Sequence, residues 1–267
     1  MQKRFDIDTK KDGWYVIDDE VKACVRESGV SDGICVISTG SDTAALAITS
    51  SWDPKGIDDA VRDLKAKFPP RLSYECPYSP FASAGRSRAS ISGACRSLII
   101  KDGKLVLGHS QTILLMEFDG AMKRSVHVSI VPKELYFKSI SFVTCYGEMT
   151  DLTERTAKIV EESGIKEGYC HVTVQAATAG VVLAPRDKAV REDIWEDIER
   201  LIPTRADFKH RETASDAAGH TKSFIAGTQI DIPVRSGRLL LSDGQGIIYT
   251  EFDGPRPRDL KVAVYEA

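Results

Sequence analysis

Apolar positions along the chain change their period from stretch to stretch, and the changes recur. Val21-Lys22-Ala23-Cys24-Val25 follows Asp18 and stops at Gly29, which predicts a helix with an N-cap and a glycine stop. Thr153 to Ser163, stopping at Gly164, predicts the same element again. Ile34 to Ser38 and Tyr169 to Val174 read as short apolar strands, each followed by a second apolar run ending near Ile48 or Leu183. Asp58 to Lys67 returns to helical spacing, with Ala60, Val61 and Leu64 apolar, and ends before Pro69; Glu192 to Leu201 does so before Pro203. Strands cluster late in each half. Leu98-Ile99-Ile100 and Leu105-Val106-Leu107 flank Asp102-Gly103, a hairpin signal, and Ser236-Gly237 marks that turn again. Ile113 to Phe118 and Val126 to Val131 follow as strands. Helices placed early and strands late predict an α+β domain: an antiparallel, β-sandwich-like core with helices packed to one side. No glycine-rich turn links a strand to a helix as a Rossmann unit requires.

The recurrence is a duplication. Gly33-Ile34-Cys35-Val36 matches Gly168-Tyr169-Cys170-His171, and Thr43-Ala44-Ala45 matches Thr178-Ala179-Gly180, both 135 residues apart. Later the offset is 134, with Pro69 on Pro203, Gly85 on Gly219 and Gln111 on Gln245. Glu117-Phe118-Asp119-Gly120 returns unchanged as Glu251-Phe252-Asp253-Gly254. A period this long is a duplicated domain, since solenoid units run roughly 20 to 50 residues. Two homologous domains are expected, residues 1–131 and 132–267.

Composition narrows the partners rather than the fold. The 267 residues carry 36 Lys+Arg against 39 Asp+Glu, a net charge of −3. Neither a nucleic acid nor a membrane partner is expected from that balance. No apolar run approaches the ~18 to 20 residues that span a bilayer, and the opening Met1-Gln2-Lys3-Arg4-Phe5-Asp6 has no leader-like apolar core. A cytoplasmic protein is expected. The six cysteines form no Cys-x-x-Cys pair, and Cys35 and Cys170 lie inside apolar runs as small buried hydrophobes.

Chemistry concentrates in the second half. His210, Glu212, Asp216 and His220 share one short stretch, and converging imidazoles and carboxylates can hold a divalent metal or exchange protons near neutral pH. A solvated loop leading to a helix start accounts for the same spacing. In the first half Gly85-Arg86-Ser87-Arg88 reads as a basic loop ahead of a helix-like segment, able to bind an anion or simply solvated. His109 and His127 are read as ordinary surface or core positions, and His171, inside a strand-like run, as structural.

The pattern Phe208-x-His210-x-Glu212-x-x-x-Asp216-x-x-x-His220, followed by Gln245-Gly246-Ile247 and Glu251-Phe252-Asp253-Gly254-Pro255-Arg256-x-Arg258, resembles the YjbQ family. The resemblance spans nearly all of residues 135–267 and, more faintly, 1–131. It implies a small α+β domain, assembly as a trimer, a histidine-rich site near a subunit boundary, and for some members a secondary thiamine-phosphate synthase activity. A homo-oligomer, trimer or dimer, is therefore expected. The chain departs from the family pattern in both halves. The family's first histidine is replaced by Ser41 and Ala176, its Asn by Asp216, and in the first half Cys76 and Arg86 replace the other two histidines. Two histidines with Asp216 or Glu251 would still suit zinc with an open position.

Two functions follow. In the first, the second half is a metal-assisted or acid–base enzyme on a small phosphorylated substrate, resembling thiamine-phosphate synthase. His210, His220 and Glu251 would be catalytic, His210, His220 and Asp216 would be the metal ligands, and Arg256, Arg258 and Gln245 would hold the phosphate. In the second, the protein is a non-catalytic binding or scaffold protein whose site has decayed in both halves.

Overall fold

A computed structural model describes residues 1–76, 78–213 and 215–267. The chain divides into two units, Met1–Val106 with Thr112–Pro132, and Leu107–Gln111 with Lys133–Ala267. The segment Leu107–Gln111 belongs to the second unit because the Gln111 side-chain amide donates to the carbonyls of Val174 and Ala176, at 3.0 and 3.1 Å.

The first unit runs β1 (Gln2–Asp8), β2 (Gly13–Val16), α1 (Asp18–Ser28), β3 (Gly33–Thr39), β4 (Ala44–Ser50), α2 (Pro54–Lys67), α3 (Pro80–Ser92), β5 (Cys95–Lys101), β6 (Lys104–Leu105), β7 (Gln111–Glu117) and β8 (Lys123–Pro132). The second repeats it as β9 (Tyr136–Thr144), β10 (Met149–Asp151), α4 (Thr153–Ser163), β11 (Glu167–Val174), β12 (Ala179–Pro185), α5 (Lys188–Leu201), α6 (Asp216–Ala226), β13 (Gln229–Arg235), β14 (Arg238–Leu239), β15 (Gln245–Glu251) and β16 (Arg256–Glu266). Each unit has a five-stranded and a three-stranded sheet in the same order. They are β1-β8-β3-β5-β6 with β2-β7-β4, and β9-β16-β11-β13-β14 with β10-β15-β12. The α+β duplication expected from the sequence is the fold. Helices α2 and α3 contact the three-stranded sheet, whereas α1 meets β6 and β8 of the five-stranded one, so the helices are not all on one sheet.

Residue chemistry explains most element ends. Asp102 and Ser236 stand at φ 51° and 52° ahead of Gly103 and Gly237 at 72° and 73°, the paired positive values a tight hairpin turn needs. Helices α1 and α4 both stop on a left-handed glycine, Gly29 and Gly164. Asp18 is not the cap expected of it. It is the first helical residue, and its carboxylate instead accepts the Ile113 amide at 2.6 Å and the Lys22 ammonium at 2.7 Å. Helices α2 and α5 begin a turn earlier than their apolar spacing suggests, on Asp53 and Asp187, whose side chains accept backbone amides. The basic segment around Arg86 is no loop: it lies inside α3. Among the described residues no helix is long and apolar enough to cross a membrane.

The core of the second unit fills the space between its sheets with Leu152, Cys170, Val172, Ile232, Tyr249 and Val262. Cys35 and Cys170 are buried as expected, and burial pushes both thiols up to about 12.

Candidate metal centre

Helix α6 opens with Asp216 and carries His220 four residues on, which places the two on one face. His210 arrives from the segment between α5 and α6. Asp216 sits between the two imidazoles. One carboxylate oxygen meets His210 Nε2, and the other lies 3.6 Å from His220 Nε2. The rings are 5.4 Å apart at 62°. All three side chains are buried, and one donor atom from each lies within 4.8 Å of the others. Burial disfavours the imidazolium and lowers the pKa of His220, Asp216 pulls it back up, and His210 pushes it further down. The net direction leaves His220 with the neutral lone pair a metal needs.

The helix approaches this closely because of a glycine. A Cβ on Gly219 would lie 3.2 Å from both the Phe252 carbonyl oxygen and Thr178. Asp253, next to Phe252, ties the segment ahead of α6 in place by accepting from Thr213 Oγ1 at 2.5 Å and Ser215 Oγ at 2.7 Å. Arg256 adds an ion pair to the other Asp253 oxygen at 2.7 Å. Burial alone would raise the Asp253 carboxyl, but these hydrogen bonds outweigh it and hold it below its ordinary value.

The remaining sequence candidates fall elsewhere. Both oxygens of Glu251 are occupied: Arg258 donates to each at 2.6 Å, Thr144 Oγ1 to one at 2.7 Å, and the Asp253 amide to the other at 3.0 Å. Arg258 also reaches Thr178 Oγ1 at 3.1 Å. The first unit builds the same arrangement from Glu117, Arg124 and Thr43, with both ion-pair contacts again at 2.6 Å. A pair kept in the half that lacks both histidines serves the sheet rather than the centre. Glu251, expected as a catalytic group, and Arg258, expected to hold phosphate, are thus engaged with each other, and Glu251 lies outside the His210–Asp216–His220 group. Gln245 begins β15 opposite Pro185, six residues along the strand from Glu251, and its side-chain oxygen accepts the Ser242 amide at 3.2 Å. Glu212 is exposed and outside the cluster. Arg256 remains half-exposed beside Asp253 and feels the charge of Asp216.

Two residues escaped the sequence reading. Asp253 lay in the repeated Glu-Phe-Asp-Gly string, but its partners Thr213 and Ser215 are 40 and 38 positions away. Lys222 is buried on α6, paired with Glu199, 5.3 Å from the Trp195 ring, and desolvation lowers its pKa. A signal for it existed in retrospect, since a lysine in a run of small residues has no exposed face to occupy.

Comparison with known proteins matches the family described as UPF0047 protein YjbQ-like twice, over residues 3–133 and 138–267. A UPF0047 protein of Methanocaldococcus jannaschii is 36% identical over 118 residues, covering 44% of this chain and 84% of the relative. The UPF0047 protein YugU of Bacillus subtilis is 32% identical over 112 residues, covering 42% and 84%. Among solved structures, a YbjQ-like protein of unknown function from Sulfolobus solfataricus shares 31% identity, covering 50% of this chain and 99% of its own, with a TM-score of 0.48.

Proposed function

From a chain that belongs to the YjbQ-like (UPF0047) family in both of its halves, we propose that the second half holds zinc on His210, Asp216 and His220 and acts there on a small phosphorylated molecule. The observation that carries this reading is the convergence of two imidazoles and one carboxylate, all buried, within 4.8 Å. That donor set suits zinc and leaves a coordination position open. Zinc so held would supply Lewis acidity toward a phosphoryl oxygen or would lower the pKa of a bound water. The chain's own residues do the rest. Asp216 offsets the metal's charge, neutral His220 and His210 donate lone pairs, and half-exposed Arg256, oriented by Asp253, binds a phosphate oxygen. Without metal, the same His–Asp–His array is an acid–base group.

A thiamine-phosphate synthase-like transfer is the narrower form of this reading, and a trimeric or dimeric assembly belongs to the same proposal, read by light scattering. The scaffold alternative needs the site lost from both halves, and only the first half replaces all three positions, with Cys76, Ala82 and Arg86. Zinc content after dialysis tests the site. Wild type is expected to retain about one equivalent per chain and the His210→Ala, His220→Ala variant none. Equal content in both would sink the ligand assignment, and loaded protein inert on phosphorylated substrates, thiamine-phosphate precursors included, would sink the enzyme.

A further inference from the structure

The first unit carries a different site. Between the end of α2, the segment after it and α3 lies a cleft of about 590 Å³ whose walls bring together Lys67, Arg71 and Arg86, with no carboxylate lining it among the described residues. The cations are held rather than loose. Arg71 lies 4.4 Å over the Tyr74 ring, and Tyr74 donates its hydroxyl to the Pro69 carbonyl at 3.2 Å. Arg86 stacks 3.8 Å over Tyr78 and gives its Nε to Asp42 at 2.7 Å, the one carboxylate paired with these three cations among the described residues. Arg88 fixes the floor by donating to the Phe68 carbonyl at 2.8 Å. Ser87 and Ser90 add hydroxyls, and Phe68 and Ile91 add apolar wall.

Duplication supplies the control. At the same positions, 134 residues on, the second half has Leu201 for Lys67 and His220 for Arg86, while Arg205 keeps the place of Arg71, 4.3 Å over the Phe208 ring. The fold therefore does not require a cation at the Lys67 and Arg86 positions, and three like charges here repel one another where only Asp42 offsets them among the described residues.

We propose that this cleft of the first unit binds a phosphate monoester with an apolar ester group, the phosphate on Lys67, Arg71 and Arg86 and the ester against Phe68 and Ile91. Guanidinium forks and a hydroxyl-bearing helix face match phosphate geometry. The inference does not depend on the zinc centre. Calorimetric titration of the full chain with phenyl phosphate and with inorganic phosphate tests it. Saturable, salt-sensitive binding is expected, tighter for phenyl phosphate. Lys67→Ala with Arg71→Ala should weaken it at least about tenfold, the loss of charge-assisted hydrogen bonds. Lys67→Arg should retain it, and so should the His210→Ala, His220→Ala variant. Both altered side chains are at the surface, and unchanged thermal melting of the alanine variant checks its fold. No saturation, equal affinity in the alanine variant, a preference for inorganic phosphate or a single-stranded oligonucleotide, or loss confined to the histidine variant would each overturn the proposal.

Discussion

His220 is buried beside a carboxylate and a second imidazole, and burial dominates, lowering its pKa below the ordinary histidine value. A depressed histidine binds fewer protons folded than unfolded, so stability rises with pH up to the unfolded value near ~6.5 and falls on acidification below it. The slope from this one group is at most about 1.4 kcal/mol per pH unit. Urea midpoints of metal-free protein should therefore drop from pH 7.5 to 5.5, and His220→Gln should flatten the drop; an equal slope in the variant would refute the assignment. Glu251 makes the opposite case, a charge whose place is set by its partner. Arg258→Met leaves that carboxylate buried without its cation and should cost about 3–5 kcal/mol, whereas the double variant with Glu251→Gln should cost less. The same test in the first unit, Arg124→Met, should destabilise similarly and leave zinc affinity unchanged. A loss of zinc with Arg124→Met would contradict the separation of ion pair and centre.

Elements were legible where alternation, a continuous apolar run or a glycine marks them, and illegible in helices of small residues with no apolar stripe. Strands β3 to β8, β11 and β12, the Asp102-Gly103 and Ser236-Gly237 hairpins and helix α4, whose predicted span Thr153–Ser163 is the observed one, announce themselves by apolar runs or by glycine. Helix α6 does not, because its residues from Asp216 to Phe224 are all buried and include Ala217, Ala218 and Gly219, so no amphipathic stripe forms. Helix α3 hides because its buried face is made of Ser83, Ala84, Gly85 and Ala89, too small and polar to form an apolar stripe. The candidate site was accordingly half readable: His210, Asp216 and His220 by their motif, but not the helix that aligns two of them or the Asp253 clamp. Long-range partners explain the other misses, as when the Ile113 amide, 95 residues on, takes the Asp18 carboxylate from a capping role. Glycine also fixes the sheets. A Cβ on Gly168 would fall 2.0 Å from the Tyr265 carbonyl oxygen, and one on Gly33 would fall 2.3 Å from that of Val131. Gly168→Ala should thus destabilise the second unit by at least about 1–3 kcal/mol as the strands part, measured by urea unfolding. A neutral result would mean that β11 and β16 can separate freely.

At the scale of the molecule, one ancestral domain has become two with different chemistry in equivalent places. Both halves keep the sheet order, the hairpin turn, the glycine at the α3 and α6 approach and the buried Glu–Arg pair. What diverged is the side chains around the third helix: His210, Asp216 and His220 in one unit, Cys76, Ala82 and Arg86 in the other. Features shared by both units are thereby identified as the fold's own requirements, and features held by one are candidates for function. This predicts a spatially divided response to metal. A ligand that binds only the folded second unit stabilises it by about 2.7 kcal/mol at a hundred times its dissociation constant. Amides that exchange through opening of that unit should then slow by about a hundredfold. Hydrogen exchange with and without zinc should show this slowing in residues 216–226 and leave residues 80–92 at their metal-free rates. Unchanged exchange in α6 would remove the centre, and slowing confined to α3 would move the metal to the half whose cations should repel it.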